Sequence, residues 1–375
     1  MLLLIPGPVV TRPAVKAALT RDIAPWDDEF RAVVAGLLAR LLRIAGVSPD
    51  THTALPLQGC GHFITEAAIR TFMPPGDMPL GAKILIPMTG PYAERMARLA
   101  REAGRLVAPL AISQADPIDP ALIATALTAD PTISHVGLVQ SETGSGVVHD
   151  PAAIGAVVRD AGKRLIIDAV SAFGALPLDL AGQPEIDAAV FTANKCLEGM
   201  PGLAFAIARI DRLEACFGNA GSWSFDLADI HTHCLERPGS FRFTPPAQAL
   251  MALNTALDLY EAEGGQPARL ARYQANARAL YDGLLALGLS PVLPRDVQGP
   301  IAMNIHAPDD PAWDLQKFVA LLKARGVLIS NFYTTPFPSF RLGCIGAITQ
   351  ADMVFAVRAI GQALDRLGIT QRKAA

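Results

Sequence analysis

The sequence predicts an α/β protein in two parts: a large domain on a mostly parallel sheet (residues 12–255), and a smaller α+β domain made of residues 1–11 and 256–375. Three observations carry this. From about residue 52 to residue 196, short apolar runs alternate with helix-length amphipathic segments, the pattern of βα units whose sheet is covered on both faces. Two of these runs, Leu165-Ile166-Ile167-Asp168 and the one ending Phe191-Thr192-Ala193-Asn194-Lys195, stop on a charged residue, as buried parallel strands do at the mouth of a sheet. From about residue 210 the alternation loosens, and the final third mixes strands with helices.

Taken in order, the opening Met1–Val10 segment has no basic flank and is interrupted by Pro6 and Gly7, so it reads neither as a signal peptide nor as a membrane span. A helix-like RPAVKAALT segment follows, then a long amphipathic helix over about 29–45 that stops at Gly46. ALPL is strand-like and leads through Gln58-Gly59-Cys60-Gly61-His62-Phe63 into the helix ITEAAIRTFM. The units then repeat as KILIPM with PYAERMARLAREAG, HVGLVQ with AAIGAVVRDAG, RLIIDAV and AAVFTA. SWSFDLADIHTHCLERPGSFRFTPP reads as a long irregular excursion, and loops of that length are usually functional or contact a partner. Helices are expected over QALMALNTALDLYEAEG and ARLARYQANARALYDGLLALG. Strands follow near IAMNIHA, GVLIS and FRLGCIG, with helices around DLQKFVALLKARG and ADMVFAVRAIGQALDRLG.

Apolar residues make up 51% of the 375 and charged ones 18%, enough to fill a sizeable core and too apolar for long disorder. The net charge of −3, with no basic run outside the last few residues, argues against nucleic acid or an anionic membrane as partner. No apolar stretch escapes charge for the roughly 20 residues a span needs. The five cysteines are scattered without CxxC spacing, which points to reduced thiols and a cytoplasmic protein. His231-Thr232-His233-Cys234 has no second cluster at ligand spacing, so it reads as loop and no metal is expected.

Asp168 and Lys195 lie 27 residues apart, about one crossover connection, so their strand ends can sit side by side. That places a carboxylate and an amine in the crevice where open α/β sheets bind ligands. A lysine walled by apolar residues is easier to hold as the neutral amine that attacks a carbonyl, and pyridoxal phosphate is the cofactor that uses such a lysine and sets an aspartate on its ring nitrogen. By themselves the two residues also read as a surface lysine and a capping aspartate. Gly59-Cys60-Gly61 opens a helix and offers a phosphate seat, or simply a tight strand-to-helix turn. Tyr92 follows a strand and can stack on a flat ring, while Gln140-Ser141-Glu142-Thr143-Gly144-Ser145-Gly146 supplies donors at the same sheet edge. Arg341, between apolar neighbours, suits two parallel hydrogen bonds to a carboxylate, or a structural ion pair.

Asp168-Ala169-Val170-Ser171-Ala172-Phe173-Gly174, Thr192-Ala193-Asn194-Lys195-Cys196-Leu197-Glu198-Gly199-Met200-Pro201-Gly202 and Arg341-Leu342-Gly343-Cys344-Ile345-Gly346 together resemble the class V aminotransferases of the pyridoxal-phosphate fold type I. The likeness extends to Leu4-Ile5-Pro6-Gly7-Pro8, Ala24-Pro25-Trp26-Asp27-Asp28-Glu29, Ala129-Asp130-Pro131-Thr132, Ser141-Glu142-Thr143 and Phe241-Arg242-Phe243-Thr244-Pro245. It implies a pyridoxal 5'-phosphate transaminase in which Lys195 holds the cofactor and then moves the proton, and Asp168 pairs with the ring nitrogen. Tyr92 would stack on the ring, with Thr143 and Asn194 near its 3'-oxygen. Gly59, Cys60, Gly61, His62 and Thr192 would seat the phosphate, Thr244 would come from the second subunit of a homodimer with shared sites, and Arg341 would hold the substrate's acidic group.

Within that family the implied substrates are a small amine and a 2-oxo acid, namely 2-aminoethylphosphonate and pyruvate; a transaminase of the alanine or serine with glyoxylate type is the alternative. A cysteine desulfurase-type lyase would need a mobile thiol, and Cys344 has apolar neighbours. A cofactor-binding regulator would be expected to carry a nucleic-acid-binding appendage, which the chain lacks. Departures from the family pattern are Cys60 and His62 in place of hydroxyl residues, Thr244-Pro245-Pro246-Ala247, Ser330-Asn331-Phe332-Tyr333 in place of Tyr-Pro-Gly-Lys, and Gly221 where an arginine is expected. They predict fewer cations around the substrate.

Overall fold

The computed structural model describes residues 1–76 and 82–372, and opens with β1 (Leu2–Leu3), α1 (Pro13–Ala17) and α2 (Asp28–Ile44). The sheet and its helices follow: β2 (His52–Gly59), α3 (Gly61–Phe72), β3 (Lys83–Pro87), α4 (Pro91–Glu102), β4 (Leu106–Leu110), α5 (Pro120–Ala129), β5 (Ile133–Val139), α6 (Pro151–Asp160), β6 (Arg164–Asp168), β7 (Ile186–Thr192) and β8 (Gly202–Arg209). Then come α7 (Ile210–Ala215), α8 (Leu227–Glu236), α9 (Ala247–Glu263), α10 (Gly265–Ala286), β9 (Ala302–His306), α11 (Leu315–Ala324), β10 (Val327–Leu328), β11 (Ser339–Gly343) and α12 (Gln350–Leu367). Several helices start where the local chemistry dictates. Asp119 and Asp150 each precede a proline and accept from the N–H two residues on, so α5 and α6 begin with a capped N-terminus and a proline in the first turn.

The central sheet has seven strands in the order β2-β8-β7-β6-β5-β3-β4. Its core is parallel, as expected, and β8 alone runs against both neighbours, β2 and β7. The sequence reading passed over β8, whose GLAFAIAR run directly follows the lysine loop. Neighbouring residues of one strand feed opposite faces. Leu165 and Ile167 join the apolar cluster containing Leu37, Ile154 and Leu253, whereas Ile166 joins the one containing Ile64, Ala67 and Met96. Two-sided burial of this kind is worth about 1.5–3 kcal/mol per large aliphatic side chain and explains why β6 reads as a continuous apolar run. β3 leads outward to β4, and the chain returns to β5 on the other side of β3, so the strand order reverses between β3 and β5 and a crevice opens there.

A third apolar cluster joins Leu4 to Leu280, Met303, Phe318, Phe340 and Ile360. β1 pairs in parallel with β10, which ties the first residues of the chain to that cluster. β9 and β11 pair antiparallel with Arg341 opposite Asn304.

Two expectations need correction. The segment from Ser222 to Pro246 is not irregular throughout: it contains α8, so His231, Thr232, His233 and Cys234 are helical rather than loop residues. Asp226 accepts from the N–H groups of Ala228 and Asp229, and Leu227, Ala228, Ile230 and His231 are buried, which is too short an apolar pattern to stand out beside polar neighbours. The strand near GVLIS is only the two-residue β10. Among the described residues no three His, Cys, Asp or Glu side chains are placed to hold a metal ion, and no helix is long and apolar enough to cross a membrane.

Candidate active site

Asp168 is the last residue of β6 and Lys195 follows β7 by three residues, so both emerge at the carboxyl edge of adjacent strands. They line one cavity of about 170 Å3 together with Tyr92, Thr192 and Asn194. Burial pushes the Asp168 carboxyl up to about 6, against the Val170 N–H that donates to its Oδ1 at 2.9 Å and the nearby Lys195. Burial also holds the Lys195 amine below the ordinary lysine range; Tyr92 opposes this and Arg341 reinforces it. The Lys195 Nζ donates to the Pro6 carbonyl at 2.7 Å.

The Gly59-Cys60-Gly61-His62 run joins β2 to α3. Gly59 closes β2 at φ +148°, Cys60 precedes the first turn of α3 without a side-chain cap, and Cys60, Gly61 and His62 line the cavity. An uncapped helix N-terminus of twelve residues leaves N–H donors and the positive dipole end facing inward, which suits a phosphate. The Thr192 hydroxyl, buried in the same wall, has no hydrogen-bond partner among the described residues. Gly61 is close-packed, since a Cβ there would lie 3.0 Å from Val170. Burial, and then Arg95, lowers His62 below the usual histidine value, so it enters the site as a neutral ring.

Tyr92 stands in the first turn of α4. Burial would raise its phenol, but Lys195, the Thr143 hydroxyl, Arg341 and Arg95 bring it below the ordinary tyrosine value. Beyond it an outer cavity of about 530 Å3 is lined by Pro6, Gly7, Arg95, Lys323, Phe332 and Arg341, among others. Arg341 is 4% exposed, donates to the Thr143 carbonyl at 3.0 Å and the Ser330 hydroxyl at 3.3 Å, and keeps an Nε with no partner among the described residues. Among the described residues no carboxylate forms the structural ion pair considered for it.

The structure therefore gathers Asp168, Lys195, Tyr92, Thr192, Asn194, Cys60, Gly61 and His62 around one space, with Gly59 beside it and Thr143 and Arg341 at its outer side. It does not bring Thr244 there: this residue is exposed on the segment before α9. Sequence reasoning missed Arg95, which stacks over the Tyr92 ring at 4.9 Å and lines both cavities. Its position one turn after Tyr92 on the same helix face was the available signal. Lys323 on α11 was missed as well, and no local pattern marks it. Arg95 and Lys323 thus join Arg341 around the outer cavity.

Gly7 packs directly against the Lys195 side chain. At φ +142° a Cβ would lie 2.4 Å from Lys195 Cδ and 2.8 Å from its Nζ. Gly7→Ala is expected to cost about 1–3 kcal/mol in overpacking and to lower kcat more than about tenfold by displacing the amine. Steady-state kinetics beside a melting curve checks it; a variant with unchanged kcat shows that the Pro6-Gly7 segment does not hold the lysine.

The donor set fits pyridoxal 5'-phosphate: a buried carboxylate for a ring cation, an amine of depressed basicity, a flat phenol, and open N–H groups with an unpartnered threonine hydroxyl for a phosphate. The family model "Aminotransferase class-V" matches residues 48–331. A 2-aminoethylphosphonate–pyruvate transaminase of Burkholderia ambifaria is 42% identical over 372 residues, covering 99% of this chain and 98% of that protein. One from Pseudomonas fluorescens is 40% identical over 368 residues, covering 98% of each. Among solved structures, a pyridoxamine-pyruvate aminotransferase from Mesorhizobium loti superposes with a TM-score of 0.88 at 26% identity, covering 99% of this chain and 93% of that one. This chain belongs to the class-V aminotransferase family.

Proposed function

We propose that the protein is a pyridoxal 5'-phosphate transaminase that moves the amino group of 2-aminoethylphosphonate to pyruvate, releasing phosphonoacetaldehyde and L-alanine. Relatives of that name align over nearly the whole chain. The observation that carries the substrate reading is the outer cavity, where Arg341, Arg95 and Lys323 converge and none is paired with a carboxylate among the described residues. A phosphonate approaches two negative charges near neutral pH and needs more than one cation, whereas the carboxylate of pyruvate is served by the Arg341 fork alone.

Bound in the inner cavity, the cofactor supplies an electron sink for negative charge on the substrate carbon. Lys195 would hold it through its Nζ and, as the free amine, would carry the proton between the substrate's amine-bearing carbon and the cofactor. The burial that depresses its basicity also favours the neutral amine, the form that can accept a proton. Asp168 would keep the ring nitrogen charged and Tyr92 would cover the ring. Thr143 and Asn194 would serve its oxygen side, and the α3 N-terminus with Thr192 would seat the phosphate. Arg341 orients donor and acceptor in turn, so one anion site serves both half-reactions.

We extend the reading to a cytoplasmic homodimer in which Thr244 reaches the partner's phosphate seat. Its exposure supports this, as do the nearby exposed Trp223 and Phe243, and the five unbridged cysteines suit a reducing compartment. Adding donors one at a time to the yellow holoenzyme tests the function: 2-aminoethylphosphonate bleaches it and pyruvate restores the colour with formation of alanine. Bleaching by alanine or serine but not by the phosphonate overturns the substrate reading in favour of the glyoxylate-type alternative, which Gly221 and Ser330-Asn331-Phe332-Tyr333 favour. Arg95→Ala is expected to raise KM for the phosphonate about tenfold more than KM for alanine in the reverse direction, the effect of one lost charged contact.

A further inference from the structure

Glu142, three residues after β5, is fully buried and takes no part in the chemistry above. Its Oε2 accepts from the N–H groups of Tyr92 at 3.1 Å and Ala93 at 3.4 Å, in the first turn of α4, and its Oε1 accepts from the Gly144 N–H at 2.8 Å. One carboxylate thus joins two segments. The α4 turn carries Tyr92; the Thr143–Gly144 turn is gripped from the other side by Arg341 on the Thr143 carbonyl and by Asn304 and Thr334 on the Gly144 carbonyl. The backbone makes room for it: a Cβ at Gly90 would lie 2.8 Å from Glu142 Cγ, and one at Gly144 would lie 2.8 Å from its Oε1.

We propose that Glu142 is the positioning residue of this site, an anionic clamp that holds the ring-covering Tyr92 and the anion-binding Arg341 in one register. A carboxylate at a helix N-terminus accepting three N–H bonds is favoured by the aligned peptide dipoles. A protonated one has an O–H pointed at donors and no acceptor for it, so a proton loosens the clamp.

The charged and titratable groups around it are Asp168 from β6, Arg341 from β11 and Tyr92 on the helix it caps. Burial raises the carboxyl to about 7, against Gly144, Tyr92 and Ala93 and with Asp168 adding to the rise. The folded protein therefore holds this proton more tightly than the unfolded chain does. What the group adds to folding is present below its ordinary value of 4.5 and is lost as pH rises through about 7, so the ionised form serves the site rather than the fold.

The test uses holoenzyme and propionate, a carboxylate without an amine that probes Arg341 whatever the true donor, so its result is independent of the phosphonate reading. Propionate binding, followed by the change it makes in the cofactor's visible band, is expected to weaken as pH falls through about 7 in the wild type. Glu142→Gln is expected to bind it about tenfold more weakly at pH 8 and to lose that pH dependence. In turnover its KM should rise while kcat stays within about threefold. Gly90→Ala, which displaces the carboxylate and keeps its charge, should weaken propionate about as much but retain the pH dependence; it also serves if Glu142→Gln does not fold. Wild-type affinity and pH dependence in both variants overturn the proposal.

Discussion

Lys195→Ala is expected to lose transamination and the lysine-bound visible band together. Loss of the general base alone removes about 10²–10⁴-fold of rate, and loss of the covalent anchor adds to it. The Arg341 guanidinium cannot accept a proton, and the Cys196 thiol is pushed up to about 12 by burial, so neither replaces the lysine. The fold should survive, because the variant removes a buried amine whose charged form burial disfavours, and its hydrogen bond reaches only the Pro6 carbonyl. Alanine formation and melting temperature decide it. More than about a hundredth of wild-type rate in a well-folded variant would sink the assignment of Lys195.

Arg341→Ala is expected to lower kcat/KM for donor and acceptor by about 10²–10³-fold. Truncating one partner of a desolvated charged contact costs about 2–5 kcal/mol, and a substrate anion in this cavity then faces only Arg95 and Lys323 at its rim. The same change should leave the melting temperature equal or higher. Arg341 is a buried cation in no ion pair among the described residues, held by one carbonyl and one hydroxyl, and burial disfavours its charged form despite the nearby Glu142, so its charge is a cost to folding that the ligand offsets. Opposite directions in activity and stability are the signature of a binding residue. A fall in both would mean that Arg341 chiefly supports β11.

How much of this was legible can be judged from particular residues. Asp168 and Lys195 were readable because a parallel strand buried on both faces must be apolar until it reaches the sheet edge, so a charge there marks the mouth. The Gly59–His62 turn was readable because the strand, the glycines and the helix lie within one short stretch. β8 was not, since an antiparallel strand inside a mostly parallel sheet looks like the others in sequence. α8 was hidden because its buried face is only four residues and includes a histidine.

Local pattern, then, determined the α/β class, most of the parallel strands with their helices, and the two residues at the sheet's rim, because periodicity and strand-end charge are properties of consecutive residues. What only the tertiary structure decided is which distant side chains share the site. Pro6 meets Lys195 across 189 positions, Arg341 meets Thr143 across 198, and Glu142 reaches Tyr92 across 50. Lys323 comes to the cavity from another helix. These contacts arise from how layers pack against one another. A residue's neighbours along the chain carry no trace of that packing, so charge without a partner becomes visible only when the space around it is closed.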